Sequence, residues 1–424
     1  MAKPPTPLQD LSADVIVIGG GMAGATLALA LRSGGLRPVL VERAPMSDQW
    51  EETFDGRASA IAFSAFRQWK AIGAAGSLEP HAQRIEQIMV TDGRSPGAAS
   101  TKAFSPFALR FDSAEIADRS DGEPLGYMLE NRHIRAGLAA AIQAAGIEVL
   151  APARVASAEF GPRAAVVTLA DGRTLTAPLV VGAEGRGSVI REQAGIGAIG
   201  WDYRQVGVVA TVKLERPHEG VAHEYFLPSG PFAILPLTGD RASLVWTESV
   251  SRGAALKTAR PEVFHAHLQR RFGDQLGEAT REGPVFTYPL SLQLAERFTA
   301  PRAALLGDAA HGVHPIAGQG LNLGLKGAAA LAETLVEASR LGEDIGAETV
   351  LDRYAAWRRF DTASLAAGMD LFVRLFSNDQ PLVRLVRGAG MAAVNRIGPA
   401  RRFFMQEAGG AVGDLPKLLK GEAL

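Results

Sequence analysis

The chain has 424 residues, and its 44 Lys and Arg nearly match its 45 Asp and Glu, leaving a net charge of −1. Such a balance argues against a nucleic-acid partner, because phosphate backbones select basic surfaces, and 47% apolar with 21% charged residues argues against disorder. Cysteine is absent, which excludes disulfides, thiolate-bound zinc, iron–sulfur clusters and cysteine nucleophiles, and no metal site is expected from the histidines, which show no ligand spacing.

The first residues, Met1 to Pro7, form no apolar core of signal-peptide length, and no run of 18 apolar residues occurs anywhere; a cytoplasmic chain without a spanning helix is expected. Val15 to Ile18 reads as a buried parallel strand. It runs into Gly19-Gly20-Gly21-Met22-Ala23-Gly24, then a helix over 25–32 that stops at Gly34-Gly35. A second strand, Pro38 to Arg43, completes a βαβ unit. Gly19-x-Gly21-x-x-Gly24 with Glu42, 21 residues after Gly21, has the form of a dinucleotide-binding turn. Its first glycine allows the tight turn, its second lets backbone approach a pyrophosphate, its third lets helix pack on strand, and the acid meets a ribose.

Further along, Asn131 to Ala145 predicts a helix, 166–176 a hairpin about Asp171-Gly172, and Leu179 to Ala183 another buried strand. Alternating stretches at 206–214, 223–227, 232–237 and 242–247 predict antiparallel strands. Ala303 to Leu306 is again a buried strand, and after Gly320 the chain reads as helical, beginning with a helix over 321–338. The strands at 15–18, 38–42, 179–183 and 303–306 therefore belong to one sheet gathered from distant parts of the chain, with the antiparallel region inserted as a second layer. The fold class is α/β: a discontinuous Rossmann-type nucleotide domain, an inserted antiparallel-sheet domain and a helical C-terminus.

Two further segments repeat the pattern of buried strand, glycine, acid and turn: Gly182-Ala183-Glu184-Gly185-Arg186-Gly187-Ser188, with Arg191, and Gly307-Asp308-Ala309-Ala310-His311, leading to Pro315 and Gly318-Gln319-Gly320-Leu321-Asn322. Such strand ends line the ligand crevice of an open α/β sheet, and the helix that opens at Gly320 directs unpaired amides towards it.

With Asp55-Gly56-Arg57-x-x-Ala60, Asn131-Arg132, the stretch His314 to Gly324 and the ending Leu415-Pro416-Lys417, the chain resembles the flavin-dependent aromatic hydroxylases of the para-hydroxybenzoate hydroxylase fold. Within them it is most similar to the ubiquinone-biosynthesis hydroxylases. The resemblance implies an FAD-binding domain over 12–80, 125–195 and 296–365, a substrate-binding β-sheet domain over 81–124 and 196–295, and a C-terminal helical region over 366–424. It implies FAD held at Gly19, Gly21, Met22, Ala23, Gly24, Glu42, Arg43, Arg57, Arg132, Val155, Glu184, Gly307, Asp308, Gly318, Gly320, Leu321 and Asn322, with amides of the last three beside flavin N1 and O2. NADPH or NADH, or a redox partner, would supply electrons. O2 would be the co-substrate, with one oxygen atom passing through a flavin C4a-hydroperoxide to an electron-rich ring and the other to water. The family usually has Asp where this chain has Glu184, and often Asp at Gly327, which reads here as a helix-surface position.

A polyprenylated phenol or quinol of ubiquinone synthesis is the substrate so implied. The alternatives are a same-fold hydroxylase of a small soluble aromatic and a non-catalytic flavin-bound scaffold of a lipid-biosynthetic assembly; other ubiquinone-biosynthesis proteins would be partners in either lipid-linked case. A flavin halogenase would carry Trp-x-Trp-x-Ile-Pro, which is absent. His311, His314 and Pro315 are candidate catalytic residues in the flavin loop. Tyr225, Phe232 and Trp246 are candidate substrate-face residues, and the strands 206–214 and 232–237 are expected to wall an apolar cavity. Residues 367–405 hold six arginines (374, 384, 387, 396, 401 and 402) and two acids, with apolar residues at helical spacing. Peripheral attachment to a membrane surface is expected of such a segment.

Overall fold

The computed structural model describes residues 13–47, 56–91, 109–115, 122–227, 229–273, 276–313, 319–358, 405, 409–410 and 413–424. Val15–Ile18 lies between Pro38–Val41 and Leu179–Gly182, parallel to both, and Leu179–Gly182 pairs in turn with Ala303–Leu305. Glu148–Leu150 and Thr299–Ala300 extend this sheet to six strands. Its central strands are fully buried, which explains why they read as continuous apolar runs rather than alternating ones.

The helices Met22–Ser33 and Gln319–Arg340 pack on this sheet and on each other. Small residues permit the close approach: Ala25, Ala28 and Ala30 on the first helix and Ala328, Ala329, Ala330 and Ala332 on the second are buried. Trp69 of the helix Phe63–Ala71 is wholly buried, and its indole N–H, which would be costly to bury unpaired, donates to Thr26 Oγ1 at 3.0 Å. Leu418 and Leu419 close the core from the far end of the chain, where Lys417 Nζ meets Glu337 at 2.6 Å and the Lys417 amide donates to Glu333 at 2.7 Å.

The second layer is an eight-stranded sheet. Its centre is the long antiparallel pair Ala198–Leu214 and Ala279–Ala295, followed across the sheet by Arg241–Ser249, Gly230–Leu237 and Val221–Leu227. Gln87–Thr91 and Leu109–Asp112 complete that edge, and His311–Gly312 the other. One face is covered by the helices Val250–Lys257 and Pro261–Phe272. The opposite face meets a small sheet of Ala58–Ala62, Gly126–Glu130 and Gln83–Ile85. A three-stranded antiparallel sheet, Val155–Phe160 with the hairpin Ala165–Leu169 and Thr174–Ala177, completes the described strands, with Gly172 at φ 88° in the turn. No helix among the described residues is long and apolar enough to cross a membrane.

Candidate active site

The carboxyl ends of Val15–Ile18, Pro38–Val41, Leu179–Gly182 and Ala303–Leu305 converge, and the three glycine-bearing turns follow directly from them. Gly19 has φ 105°, and a Cβ there would stand 2.5 Å from the Ala183 carbonyl oxygen, so only glycine fits this junction of two strand ends. A Cβ on Gly24 would meet the Gly19 carbonyl oxygen at 2.0 Å. Gly21 differs: a Cβ there would meet nothing within 4 Å. Gly21 is also the N-cap of the helix that Met22 and Ala23 open, and no side chain caps it. The open space lies where first-turn amides and the helix dipole favour an anion.

Glu42 closes this turn. Its Oε2 accepts from the Gly20 amide at 2.6 Å and its Oε1 from the Ala44 amide at 2.9 Å. The Glu42 carbonyl accepts from Ala153 at 2.7 Å, which brings the approach to Val155 beside the end of Pro38–Val41. Arg43 is exposed next to it. Gly307, at φ 58°, and Gly324 both pack on Ala23: their Cβ positions fall 3.3 and 3.5 Å from its methyl. This close contact seats Asp308 beside the first helix. The Asp308 carboxyl is surrounded by protein atoms yet half open to solvent. Burial raises its pKa above the usual range, while Arg186, at 3.6 Å, opposes the shift.

Arg186 is the residue that sequence reasoning quoted without a role. It also binds Ser291 of the second sheet, and a Cβ on Gly312 would stand 2.7 Å from its Nε. Its place in a strand–glycine–acid turn was the available signal. Arg191 of the same motif donates to the Ala309 carbonyl at 3.2 Å, tying two turns together.

Arg57 lies over the Tyr288 ring, 6.0 Å from its centroid. Arg132, at the start of Asn131–Ala144, donates to Glu130 at 2.7 Å, and Glu130 also meets Arg241 at 2.8 Å. Gly320 and Leu321 lie in the first turn of Gln319–Arg340, which begins two residues earlier than the sequence suggests. Asn322 binds the backbone of Ala60 and Ala62 at 2.9 Å through its amide, fixing this turn to Ala58–Ala62. His314, Pro315 and Gly318 lie outside the described residues.

Four expectations are corrected. Tyr225, Phe232 and Trp246 are not on the face towards the small sheet: they point to the helix-covered face and pack with Phe264 and Leu268. The strands of Tyr225 and Phe232 do border the small sheet, through the alternate residues Ala222, Leu235 and Leu237. His311 is buried against Phe298, 6.1 Å between ring centroids, and burial together with Arg358 lowers its pKa to about 3. It therefore stays neutral at physiological pH, a packing group rather than a proton carrier. Glu184 turns inward, its Oε1 accepting from the Ile190 amide at 2.8 Å, so it caps the short helix Val189–Gln193. Gly327 is no surface position: a Cβ there would meet Leu306 at 3.0 Å.

The described residues fit FAD: an anion cradle whose central glycine leaves space, an acid at the adjacent strand end and a second acid beside the first helix. No group of three or more His, Asp or Glu suited to a metal occurs among them. A family model for the FAD binding domain matches residues 12–366. Among curated proteins, the ubiquinone hydroxylase UbiL of Rhodospirillum rubrum is 44% identical over 99% of this chain and 96% of its own. The 3-demethoxyubiquinol 3-hydroxylase of Escherichia coli is 32% identical over 93% and 98%. Among solved structures, p-nitrophenol 4-monooxygenase PnpA of Pseudomonas putida superposes with a TM-score of 0.74 at 20% identity, covering 93% of this chain and 97% of its own; that likeness is one of fold.

Proposed function

This chain belongs to the FAD binding domain family, and on that premise we propose that it is an FAD-dependent monooxygenase hydroxylating the aromatic ring of a polyprenylated phenol or quinol in ubiquinone biosynthesis. The observation that carries the reading is the match, over nearly the whole of both chains, to hydroxylases named for ubiquinone and demethoxyubiquinol. When bound, FAD supplies the activation of O2. The chain's own residues do the rest. The amides at Gly21, Met22 and Ala23 receive the pyrophosphate, and Asp308, with Arg186 beside it, receives the ribityl or pyrophosphate portion. Glu42 receives the adenosine ribose. The first turn of Gln319–Arg340, at Gly320 to Asn322, presents amides to the ring system, where they stabilise negative charge without a mobile counter-ion. The sheet face opposite the helices excludes water from the substrate ring.

NADPH or NADH is the proposed electron donor, docking transiently, since of the two Gly-x-Gly-x-x-Gly stretches in the sequence, 19–24 and 195–200, only the first stands between a strand and a helix. Membrane association through 367–405 is part of the same reading, because a prenylated substrate must be collected from a bilayer; most of that segment lies outside the described residues. The domain division at 81–124 and 196–295 is proposed on the same basis. The test is complementation of strains each blocked at one ring hydroxylation of ubiquinone, with the accumulated intermediate identified. Rescue of one or more strains is expected, and the pattern gives the ring carbon. Failure to rescue any strain by expressed, flavin-loaded protein would overturn the reading.

A further inference from the structure

The face of the large sheet opposite its two helices can be read residue by residue from its registers. One row crosses six strands: Phe286, Val209, Val245, Ala233, Glu224 and Val90. Five are apolar and one is a carboxylic acid. In the neighbouring row, Ala222 and Leu235 are packed on by Met128, Ala58 and Ala60 of the small sheet. The row of Glu224 runs to Phe286, on which Gly56 packs, and the row beyond it carries Tyr288 beneath Arg57. This strip is therefore continuous with the residues proposed to meet the cofactor.

Glu224 is the anomaly in it. Its side chain is neither sealed in the core nor open on the surface. Burial, with no partner contributing, pushes its pKa up to about 8. A partly accessible carboxyl surrounded by apolar protein atoms is costly unless something binds it. The charged groups on its own face are Arg241, already paired with Glu130, Glu282, and the exposed Lys213 in register with Arg241; Arg84 of the small sheet, paired with Glu86, lies on that sheet's other face with Tyr127. The neighbouring His223 points to the helix-covered face, with Tyr225.

We propose that Glu224 accepts the hydrogen bond, and then the proton, of the phenolic hydroxyl on the ring substrate. The inference rests on the ring-hydroxylation reading above. One proton passes from the ring oxygen to the carboxylate, leaving a phenolate and a neutral carboxylic acid; no electron is transferred and no other reagent is consumed. A phenolate ring is richer in electrons and the better acceptor of an electrophilic oxygen atom. The environment suits the task. A phenol of pKa about 10 lies about a millionfold from an ordinary glutamate in acidity, but only about a hundredfold from a carboxyl near 8. In the free protein the acid form prevails at neutral pH, so the fraction able to take the proton rises with pH and levels above about 8.

The experiment uses the FAD-loaded enzyme and a phenol bearing a short prenyl chain. Glu224→Gln has the shape of the protonated carboxyl and should keep flavin content and thermal stability. In the wild type, the ultraviolet band of the bound probe should move slightly to the red between pH 7 and 9, as its hydroxyl becomes hydrogen-bonded to a carboxylate with on the order of a hundredth of the probe ionised, and the single-turnover hydroxylation rate should rise over the same range. In Glu224→Gln the bound probe should keep its neutral band until about pH 10, and the rate at pH 8 should fall on the order of 100-fold without the rising limb. Glu224→Asp should restore the band shift in part. A Glu224→Gln enzyme that binds the probe and shows the wild-type band titration and pH profile overturns the assignment. A wild type that binds and ionises the probe through Glu224 yet inserts no oxygen into any prenylated phenol overturns the ring-hydroxylation reading and leaves Glu224 as a phenol-binding residue.

Discussion

Gly21 and Gly24 belong to one motif, yet the structure requires opposite outcomes when each becomes alanine. At Gly21 a methyl meets nothing within 4 Å, and φ is −65°, a conformation any residue adopts. The folded apoprotein should therefore tolerate Gly21→Ala. Fewer unfolded conformers favour it by about 0.4–1 kcal/mol, and the weaker N-cap opposes it by a similar amount, so the net change stays within about 1 kcal/mol. The empty space is where the pyrophosphate would press on the amides, and a methyl there costs charge-assisted hydrogen bonds of about 1.5–3 kcal/mol. FAD affinity should fall about 10- to 150-fold. At Gly24 the methyl would stand 2.0 Å from the Gly19 carbonyl oxygen, an atom of backbone with no freedom to rotate away. Gly24→Ala must part the helix from the strand end by about 1 Å, at an overpacking cost of about 1–3 kcal/mol or more in the apoprotein itself. Flavin titration followed by fluorescence, with thermal unfolding of each apoprotein, separates the two effects. Wild-type FAD affinity in Gly21→Ala, or unchanged apoprotein stability in Gly24→Ala, would refute the reasoning.

Four further outcomes are expected. Asp308→Ala should lose most of its flavin during purification, whereas Glu42→Ala should retain more, because water can replace part of a ribose contact; full occupancy in Asp308→Ala, read from the absorbance ratio, contradicts the placement of that acid. His311 stays neutral when folded down to about pH 3 but binds a proton near 6.5 when unfolded; the unfolded state binds more protons in that window, so stability rises with pH there, by up to about 1.4 kcal/mol per unit. Urea unfolding of His311→Gln at pH 4 to 6 should show a flatter dependence than the wild type. Leu418→Ala should cost about 3 kcal/mol in the same measurement, since its side chain is fully buried at the end of the chain, and a loss below about 1 kcal/mol would show that the terminal segment is dispensable. The intact protein should float with anionic liposomes at low salt and less so at high salt; no flotation at low salt, together with unchanged activity of an Arg401→Glu, Arg402→Glu double variant on a prenylated phenol, removes the membrane reading.

What the sequence disclosed best was whatever backbone sterics or burial on both faces impose. The four central parallel strands were legible because a strand covered on both sides has no polar residue to blur its limits. Gly19, Gly24 and Glu42 were legible because a βαβ turn around an anion admits few residue types. The edge strands Glu148–Leu150 and Thr299–Ala300 were missed: three and two residues long, they are set by pairing with neighbours rather than by their own composition. Gly327 and Glu184 were read from likeness to a pattern, and what surrounds them, Leu306 in one case and the Ile190 amide in the other, is tertiary.

The inserted sheet shows where the limit lies. Four of its eight strands were found, though not Ala279–Ala295 at its centre, and period-two alternation divides their side chains into two sets. Alternation does not say which set faces a ligand. Tyr225, Phe232 and Trp246 attracted a binding role because they are aromatic, but large apolar side chains bury the most area and so go wherever a covering layer exists. That layer is the helix pair Val250–Lys257 and Pro261–Phe272, which supplies Leu256, Phe264 and Leu268 to the same cluster. Once these helices take one face, the other set, with Val209, Ala233 and Val245 too small to fill a gap, is left for the opposite face. The informative residue on that side is the single carboxylate in an apolar row. Glu224 has no packing role that a leucine would not fill better, and a carboxyl at such a position is best accounted for by what it holds.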